Sequence, residues 1–203
     1  MRIISGACRG RKLVQIQGRD IRPTSDRVRE ALFNILGPDI REKRVLDMFA
    51  GTGALGLEAL SRGAQSAVFL DAARSSCNVI KRNVELCRMA DHARIIRHDL
   101  INASLPVFHQ LFDLIFMDPP YNKGYPEQVI KTPGFFELLA PGAIIIVEQS
   151  AKESLNYPVN SLDKYLEKKY SRTTLTFLRK SATDDKDAYD YPKTDNSHLP
   201  RFL

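Results

Sequence analysis

The chain has 203 residues, 43% of them hydrophobic, and a formal net charge of +6. That length supports one sizeable core, or one core plus a small appendage. No apolar run approaches the roughly 20 residues needed to span a bilayer, and Met1-Arg2 leads into no signal-type apolar segment, so the expected place is the cytoplasm and not a membrane.

The cysteines Cys8, Cys77 and Cys87 are an odd number without paired metal spacing, which reads as reduced thiols with no disulfide and no metal. The charge is uneven. Residues 1 to 44 hold 11 Lys+Arg against 5 Asp+Glu, whereas residues 45 to 203 hold 19 of each. A basic segment beside a neutral domain suggests a polyanionic partner.

In chain order, Arg2-Ile3-Ile4 and Lys12-Leu13-Val14-Gln15-Ile16 have strand composition, and Ser5 to Gly10 supplies a turn, so residues 2 to 17 read as a β-hairpin. At its tip Arg9 and Arg11 flank Gly10 and offer guanidinium groups suited to phosphate. Arg22-Pro23-Thr24 stops regular structure, and Thr24, Ser25 or Asp26 can cap a helix running to about Leu36. Val28, Ala31, Leu32, Ile35 and Leu36 make its buried stripe. The arginines Arg22, Arg27 and Arg29 join Arg9 and Arg11 as candidate contacts to that polyanion.

From Val45 the pattern alternates: a strand at 45 to 48, a helix from about 54, a strand at 66 to 70, a helix from about 73 to 87, and a strand at 94 to 97. A helix over Leu100 to His109 and an apolar strand at 113 to 117 follow. After a helical region around Phe135 to Leu139 comes a strand at 143 to 148. The segments 165 to 170 and 173 to 178, joined by Ser171-Arg172, read as an antiparallel hairpin. This rhythm predicts an α/β fold with a doubly wound, mostly parallel sheet, preceded by a hairpin and helix extension. The expected organisation is an extension at 1 to 43, a main domain at 44 to 180, and a polar tail at 181 to 203.

The glycine loop Asp47-Met-Phe-Ala-Gly-Thr-Gly-Ala-Leu-Gly56 sits on a strand-to-helix turn, where Gly51 and Gly53 can take positive φ and bring backbone N–H groups close to a ligand. Gly51, Gly53 and Gly56 also satisfy the dinucleotide fingerprint G-x-G-x-x-G, and that spacing alone leaves a nicotinamide-dependent oxidoreductase open. Ligands gather at the carboxyl ends of strands in such sheets, and acids stand there four times, at Asp47, Asp71, Asp99 and Asp118. Asp71 follows Gly51 by 20 residues, the offset of an acid that accepts hydrogen bonds from ribose hydroxyls, and Asp99 is placed to meet an adenine amino group. Asp118-Pro119-Pro120-Tyr121 is the more specific signal. The Pro119 carbonyl and the Asp118 carboxylate give two acceptors for a planar amine, and the Tyr121 ring offers a stacking face. Because the ring face survives the change, Tyr121→Phe is expected to keep most of that stacking role.

These motifs resemble the class I S-adenosylmethionine-dependent methyltransferases, and within them the enzymes that methylate exocyclic amines through Asp-Pro-Pro-Tyr. Ile3 to Gly6, Arg9 to Leu13, Arg22-Pro23-Thr24, Val28 to Leu36 and Asp47 to Gly63 resemble more narrowly the bacterial RsmD-type 16S ribosomal RNA guanine-N2 methyltransferases. The resemblance covers about residues 1 to 180. It implies a seven-stranded Rossmann-like methyltransferase sheet, an RNA-contacting N-terminal extension, S-adenosylmethionine as cofactor, and 16S rRNA, in a small ribosomal subunit or assembly intermediate, as partner of a monomer. By this resemblance Asp47, Phe49, Ala50, Gly51, Thr52 and Gly53 surround the methionine moiety. Asp71, where many relatives have Glu, takes the ribose, and Asp99 with Leu100 takes the adenine. Asp118, Pro119 and Tyr121 form the catalytic loop. The rivals are methylation of another planar amine such as adenine N6 in DNA, the oxidoreductase, and a non-catalytic RNA-binding protein.

Overall fold

A computed structural model describes residues 1–16, 26–157 and 161–181. The candidate RNA contact Arg22, its neighbours Pro23 and Thr24, and all of the tail beyond Ser181 lie outside the described residues.

Seven strands form one sheet: β1 Arg44–Met48, β2 Ser66–Asp71, β3 Ala93–Arg97, β4 Phe112–Met117, β5 Leu139–Ser150, β6 Leu162–Tyr170 and β7 Thr173–Lys180. Their order is β3-β2-β1-β4-β5-β7-β6. The first five strands pair in parallel, and β7 pairs antiparallel with both β5 and β6. The helices are α1 Asp26–Leu36, α2 Ala54–Ser61, α3 Arg74–Leu86 and α4 Tyr125–Ile130. The chain winds outward from β1 to β3 and then crosses back to β4, so the order reverses between β1 and β4. A crevice for a ligand opens outside the carboxyl ends of strands at such a reversal.

The central strands are apolar on both faces, as strands covered on both sides must be. Alternate residues feed two cores. Val45, Phe69, Leu114 and Phe116 pack with α1, α2 and α3, whereas Leu46, Leu70, Ile115 and Met117 pack with Val129 and Ile130 of α4.

All eight residues of α2 are buried, because the N-terminal segment covers the side that the sheet does not. The segment lies over α2 through unusually polar contacts. Glu58, fully buried, accepts the N–H groups of Ile4 (2.8 Å) and Ser5 (3.0 Å) and the Nε–H of Arg62 (2.8 Å). Ser61 Oγ accepts the Cys8 N–H at 2.9 Å, and the Ser61 carbonyl accepts that of Ala7 at 2.8 Å. Gly6 has φ +81°, and a Cβ there would stand 1.7 Å from the Ser61 carbonyl oxygen, so no side chain fits.

Three sequence expectations are corrected. Within the described residues 1 to 16 the expected hairpin is present but shortened, with one antiparallel bridge, Arg2 to Lys12, and the Ile3 N–H donating to the Arg11 carbonyl at 3.0 Å, while Ile4, Ser5, Ala7 and Cys8 bond to α2 instead of extending a strand. Leu100 to His109 is not a helix but a loop, in which Pro106 removes a helical donor and Val107 stands 83% exposed. Arg29 is fully buried and is not a surface contact: its Nη2 donates to the Arg2 carbonyl and to Asp26 Oδ1 (3.0 Å), and its Nε lies 4.0 Å from Glu58. It neutralises a buried carboxylate that desolvation would otherwise penalise heavily.

Candidate active site

The acids expected at strand ends are there, with distinct duties. Asp47 on β1 is 1% exposed, and its Oδ2 accepts the Gly56 N–H at 2.9 Å, which braces the turn from β1 into α2. It therefore supports the loop from inside and does not face a ligand. Burial pushes its carboxyl up to about 8, against the Gly56 N–H and with help from the negative charge of Asp71.

Asp71, at the end of β2, accepts the Gly51 N–H at 2.9 Å through Oδ2 and the Ala73 N–H at 2.8 Å through Oδ1. It ties the glycine loop to the start of α3 and stays half-buried at the crevice. Asp99, two residues beyond β3, holds its own turn, with Oδ1 accepting from Ile101 N (3.0 Å) and Asn102 N (3.2 Å) and Oδ2 from Asn102 Nδ2 (3.0 Å). The Asn102 side chain and these two backbone donors hold its carboxyl below the usual range. Leu100 is buried in the core shared with α4.

Each glycine of the loop has its own reason. Gly51 (φ +56°) would meet only the Phe49 carbonyl oxygen, 3.9 Å from an added Cβ, so its surface is open for close approach. Gly53 (φ +75°) packs on Ile80 and Phe69, and a Cβ at Gly56 would sit 2.4 Å from the Phe69 ring, so these two serve helix-to-sheet packing. Ala50 and Thr52 are buried beside them, and Phe49 takes φ +62° with its ring parallel to that of Tyr125 at 6.1 Å. An open glycine flanked by Asp71, with Asp99 in the turn after the neighbouring strand β3, fits an adenosine-containing cofactor held by backbone groups and carboxylates.

The N-terminal segment reaches this loop. Asn83, fully buried on α3, accepts the Val14 N–H (2.7 Å) and donates to the Val14 carbonyl (3.1 Å) and to the Thr52 carbonyl (2.9 Å). Thr52 Oγ1 lies 3.6 Å from Met1 Sδ. A groove of about 400 Å³ between the N-terminal turn and α1 is lined by Arg2, Arg9, Gly10, Asp26, Arg27 and Glu30. Arg9, Arg11 and Arg27 are exposed, as is Arg2, which sequence reasoning did not single out.

Asp118 follows β4 directly and is half-buried, Pro119 is buried, and Tyr121 is half-buried. The Tyr121 hydroxyl lies 3.0 Å from Glu148 Oε1 and 3.0 Å from Thr173 Oγ1. Burial, with the negative charge of Glu148, holds the phenol above its ordinary range. Glu148, 3% exposed near the end of β5, is a fifth strand-end acid. Its signal was present, an acid closing the apolar run Ile144 to Val147 just as Asp118 closes β4. Among the described residues no group of His, Cys, Asp and Glu is placed to hold a metal, and no helix is long and apolar enough to cross a membrane.

Five parallel strands with a reversal at β1/β4, an antiparallel β7 and a glycine loop flanked by strand-end acids define a class I methyltransferase fold. The comparisons agree. The chain is 38% identical over 162 residues to ribosomal RNA small subunit methyltransferase D of Haemophilus influenzae, covering 79% of this chain and 84% of that one. It is 35% identical over 190 residues to the Escherichia coli K12 protein of the same name, covering 93% and 94%. The solved structure of the Escherichia coli protein yhhF superposes with a TM-score of 0.75 at 33% identity, covering 90% of this chain and 98% of that one. An RNA methyltransferase from Salinibacter ruber in complex with S-adenosyl-L-homocysteine shares the fold at 15% identity, with a TM-score of 0.60 over 83% of this chain and 99% of that one. Residues 1–179 match the family described as conserved hypothetical protein 95, and the chain belongs to that family.

Proposed function

We propose that this protein transfers a methyl group from S-adenosylmethionine to the exocyclic N2 amine of a guanine in 16S ribosomal RNA, in the cytoplasm and without a metal. The observation that carries the reading is Asp118-Pro119-Pro120-Tyr121 at the carboxyl end of β4, beside the reversal point and next to the glycine loop. The relatives named ribosomal RNA small subunit methyltransferase D support RNA as the methyl acceptor.

When bound, S-adenosylmethionine supplies an electrophilic methyl group, whose bond to sulfur breaks as the bond to nitrogen forms. Asp71 and Asp99 would hold its ribose and adenine, and the backbone from Phe49 to Gly53 would surround its methionine end. Guanine N2 is a poor nucleophile because its lone pair is delocalised into the ring. Asp118 and the Pro119 carbonyl, by accepting both amine hydrogens, favour a pyramidal nitrogen and aim its lone pair. The proton that N2 loses afterwards passes to Asp118 or to water. The Tyr121 ring flanks the base.

Arg2, Arg9 and Arg27, which line the groove between the N-terminal turn and α1, and the exposed Arg11 would contact RNA phosphates. The substrate is an assembling small subunit or its naked rRNA, and the enzyme acts as a monomer. The test is incubation with tritiated S-adenosylmethionine and, separately, small-subunit particles, free 16S rRNA and DNA. Label in either RNA-containing sample and none in DNA is the expected result. Label in DNA alone would establish the adenine rival, and tight nicotinamide binding without adenosyl-sulfur binding the oxidoreductase.

A further inference from the structure

Parallel pairing of β4 with β5 sets Met117 opposite Val147, so the next residues, Asp118 and Glu148, emerge side by side at the carboxyl edge. On the other side of β5, antiparallel pairing sets Glu148 opposite Leu175 and Ser150 opposite Thr173. With a side-chain period of two, Glu148 and Thr173 are therefore diagonal neighbours on one face. Both reach the Tyr121 hydroxyl, at 3.0 Å each. A carboxylate only accepts, so the phenol proton goes to Glu148 and the Thr173 hydroxyl donates to the phenol oxygen. One residue further, Asn122 donates its N–H to Glu153 Oε1 at 2.6 Å, while Glu153 Oε2 takes the Ser150 N–H at 3.0 Å. Asn122 itself sits at φ +59°, a conformation that persists only when its surroundings fix it.

We infer that Glu148 and Thr173 are positioning residues for methyl transfer, fixing the Tyr121 ring through its hydroxyl so that it forms a rigid wall of the site for the target base. This deepens the proposed function and rests on it. A ring free to turn about χ1 and χ2 would stack on a base at many angles. A ring pinned at its hydroxyl offers one plane, at a set distance from the Asp118 acceptor three residues earlier. The hydroxyl thus has work that the ring face does not do, and phenylalanine is not its equivalent here.

The test is a set of single-turnover methyl-transfer rates on the RNA substrate for Tyr121→Phe, Thr173→Val, Glu148→Ala, Glu148→Gln and the double variant Tyr121→Phe/Glu148→Ala, each with its cofactor affinity. Misplacement of a reacting group by about an ångström costs on the order of 100-fold, so losses of roughly 10- to 100-fold are expected for Tyr121→Phe and Glu148→Ala at unchanged cofactor affinity. Because both remove the same hydrogen bond, the double variant should lose no more than the worse single. Glu148→Gln, whose amide oxygen still accepts the phenol, should recover most of the rate. Tyr121→Phe at the wild-type rate, or losses that multiply in the double variant, would overturn the inference. Should Glu148→Ala fail to fold, Tyr121→Phe and Thr173→Val decide it. A substrate-free readout separates this inference from the function it rests on. In ¹³Cζ-tyrosine NMR at neutral pH, with the Tyr121 signal identified by its absence in Tyr121→Phe, Glu148→Ala and Thr173→Val should each shift the Tyr121 signal. An unshifted signal in both would show that these groups do not hold the hydroxyl, whereas a wild-type enzyme inactive on RNA would sink the function alone.

Discussion

At the scale of residues, neighbouring acids at the strand ends do different things because their surroundings differ. In the proposed mechanism Asp118 meets the substrate amine, so Asp118→Ala should leave cofactor affinity nearly intact. Loss of one transition-state hydrogen-bonding group costs about 2.7 to 4 kcal/mol, or on the order of 10²- to 10³-fold in rate, which single-turnover kinetics beside calorimetry would register. Asp71→Ala should instead weaken cofactor binding by roughly 1 to 3 kcal/mol, since charged hydrogen bonds are worth that much, and should also loosen the Gly51 N–H that Asp71 now holds. Asp47 makes a pH prediction. Its carboxyl is raised to about 8 in the folded chain, above the unfolded value of about 3.9, so the native state binds the extra proton between these limits. Its contribution to stability is present below about pH 4 and is lost as pH rises toward 8. Asp47→Asn should flatten that part of the curve, read as the difference between the two proteins' urea midpoints across the range. The acids were legible in the sequence because each stands at the end of a strand-like segment. Their separate duties were not, since burial of Asp47 and the engagement of both Asp71 oxygens depend on how the loop closes. Arg29 shows the same limit: a cationic residue beside a helix stripe reads as exposed, and only the packing of Glu58 opposite it reveals why it is inside.

At the scale of elements, the β-α alternation from Val45 and the closing hairpin were legible because period-two and period-3.6 apolar patterns separate cleanly there. The misread helix at Leu100 to His109 had apolar residues at suggestive spacing. Pro106 stands in its middle, and Leu105 and Phe108 pack against the core from a loop. The N-terminal segment was misread in the other direction. Its strand-like composition is genuine and its two arms do pair through Ile3 N–H to Arg11 and Leu13 N–H to Met1, but Glu58 and Ser61 of α2 take the N–H groups of Ile4, Ser5, Ala7 and Cys8, so the ladder stays short. This gives Gly6 unusual weight. Gly6→Ala should destabilise the fold by at least about 1 to 3 kcal/mol from the left-handed backbone alone, with the collision against Ser61 added. Denaturant unfolding measures the loss, and filter binding should show weaker RNA retention, because the arginine-bearing turn leaves α2.

At the scale of the whole molecule, a basic N-terminal segment rides on an otherwise charge-balanced domain and is hydrogen-bonded to its cofactor loop through Asn83. Phosphate binding by that segment is expected to be sequence-independent and salt-sensitive. Removing one phosphate-contacting arginine, Arg2, Arg9, Arg11 or Arg27, should reduce the log-log salt slope by roughly 0.7 to 1. Arg29→Ala should act through stability instead, without this signature.

In the proposed mechanism the two acceptors at Asp118 and Pro119 present a guanine amine for methylation. The most direct measurement is to digest 16S rRNA labelled by the wild-type enzyme to nucleosides and identify the methylated one by chromatography and mass. The expected product is N2-methylguanosine, absent when Asp118→Ala enzyme is used under the same conditions. Label in N6-methyladenosine, on a ring carbon or on a ribose hydroxyl, or N2-methylguanosine formed at full rate by the Asp118→Ala enzyme, would contradict it.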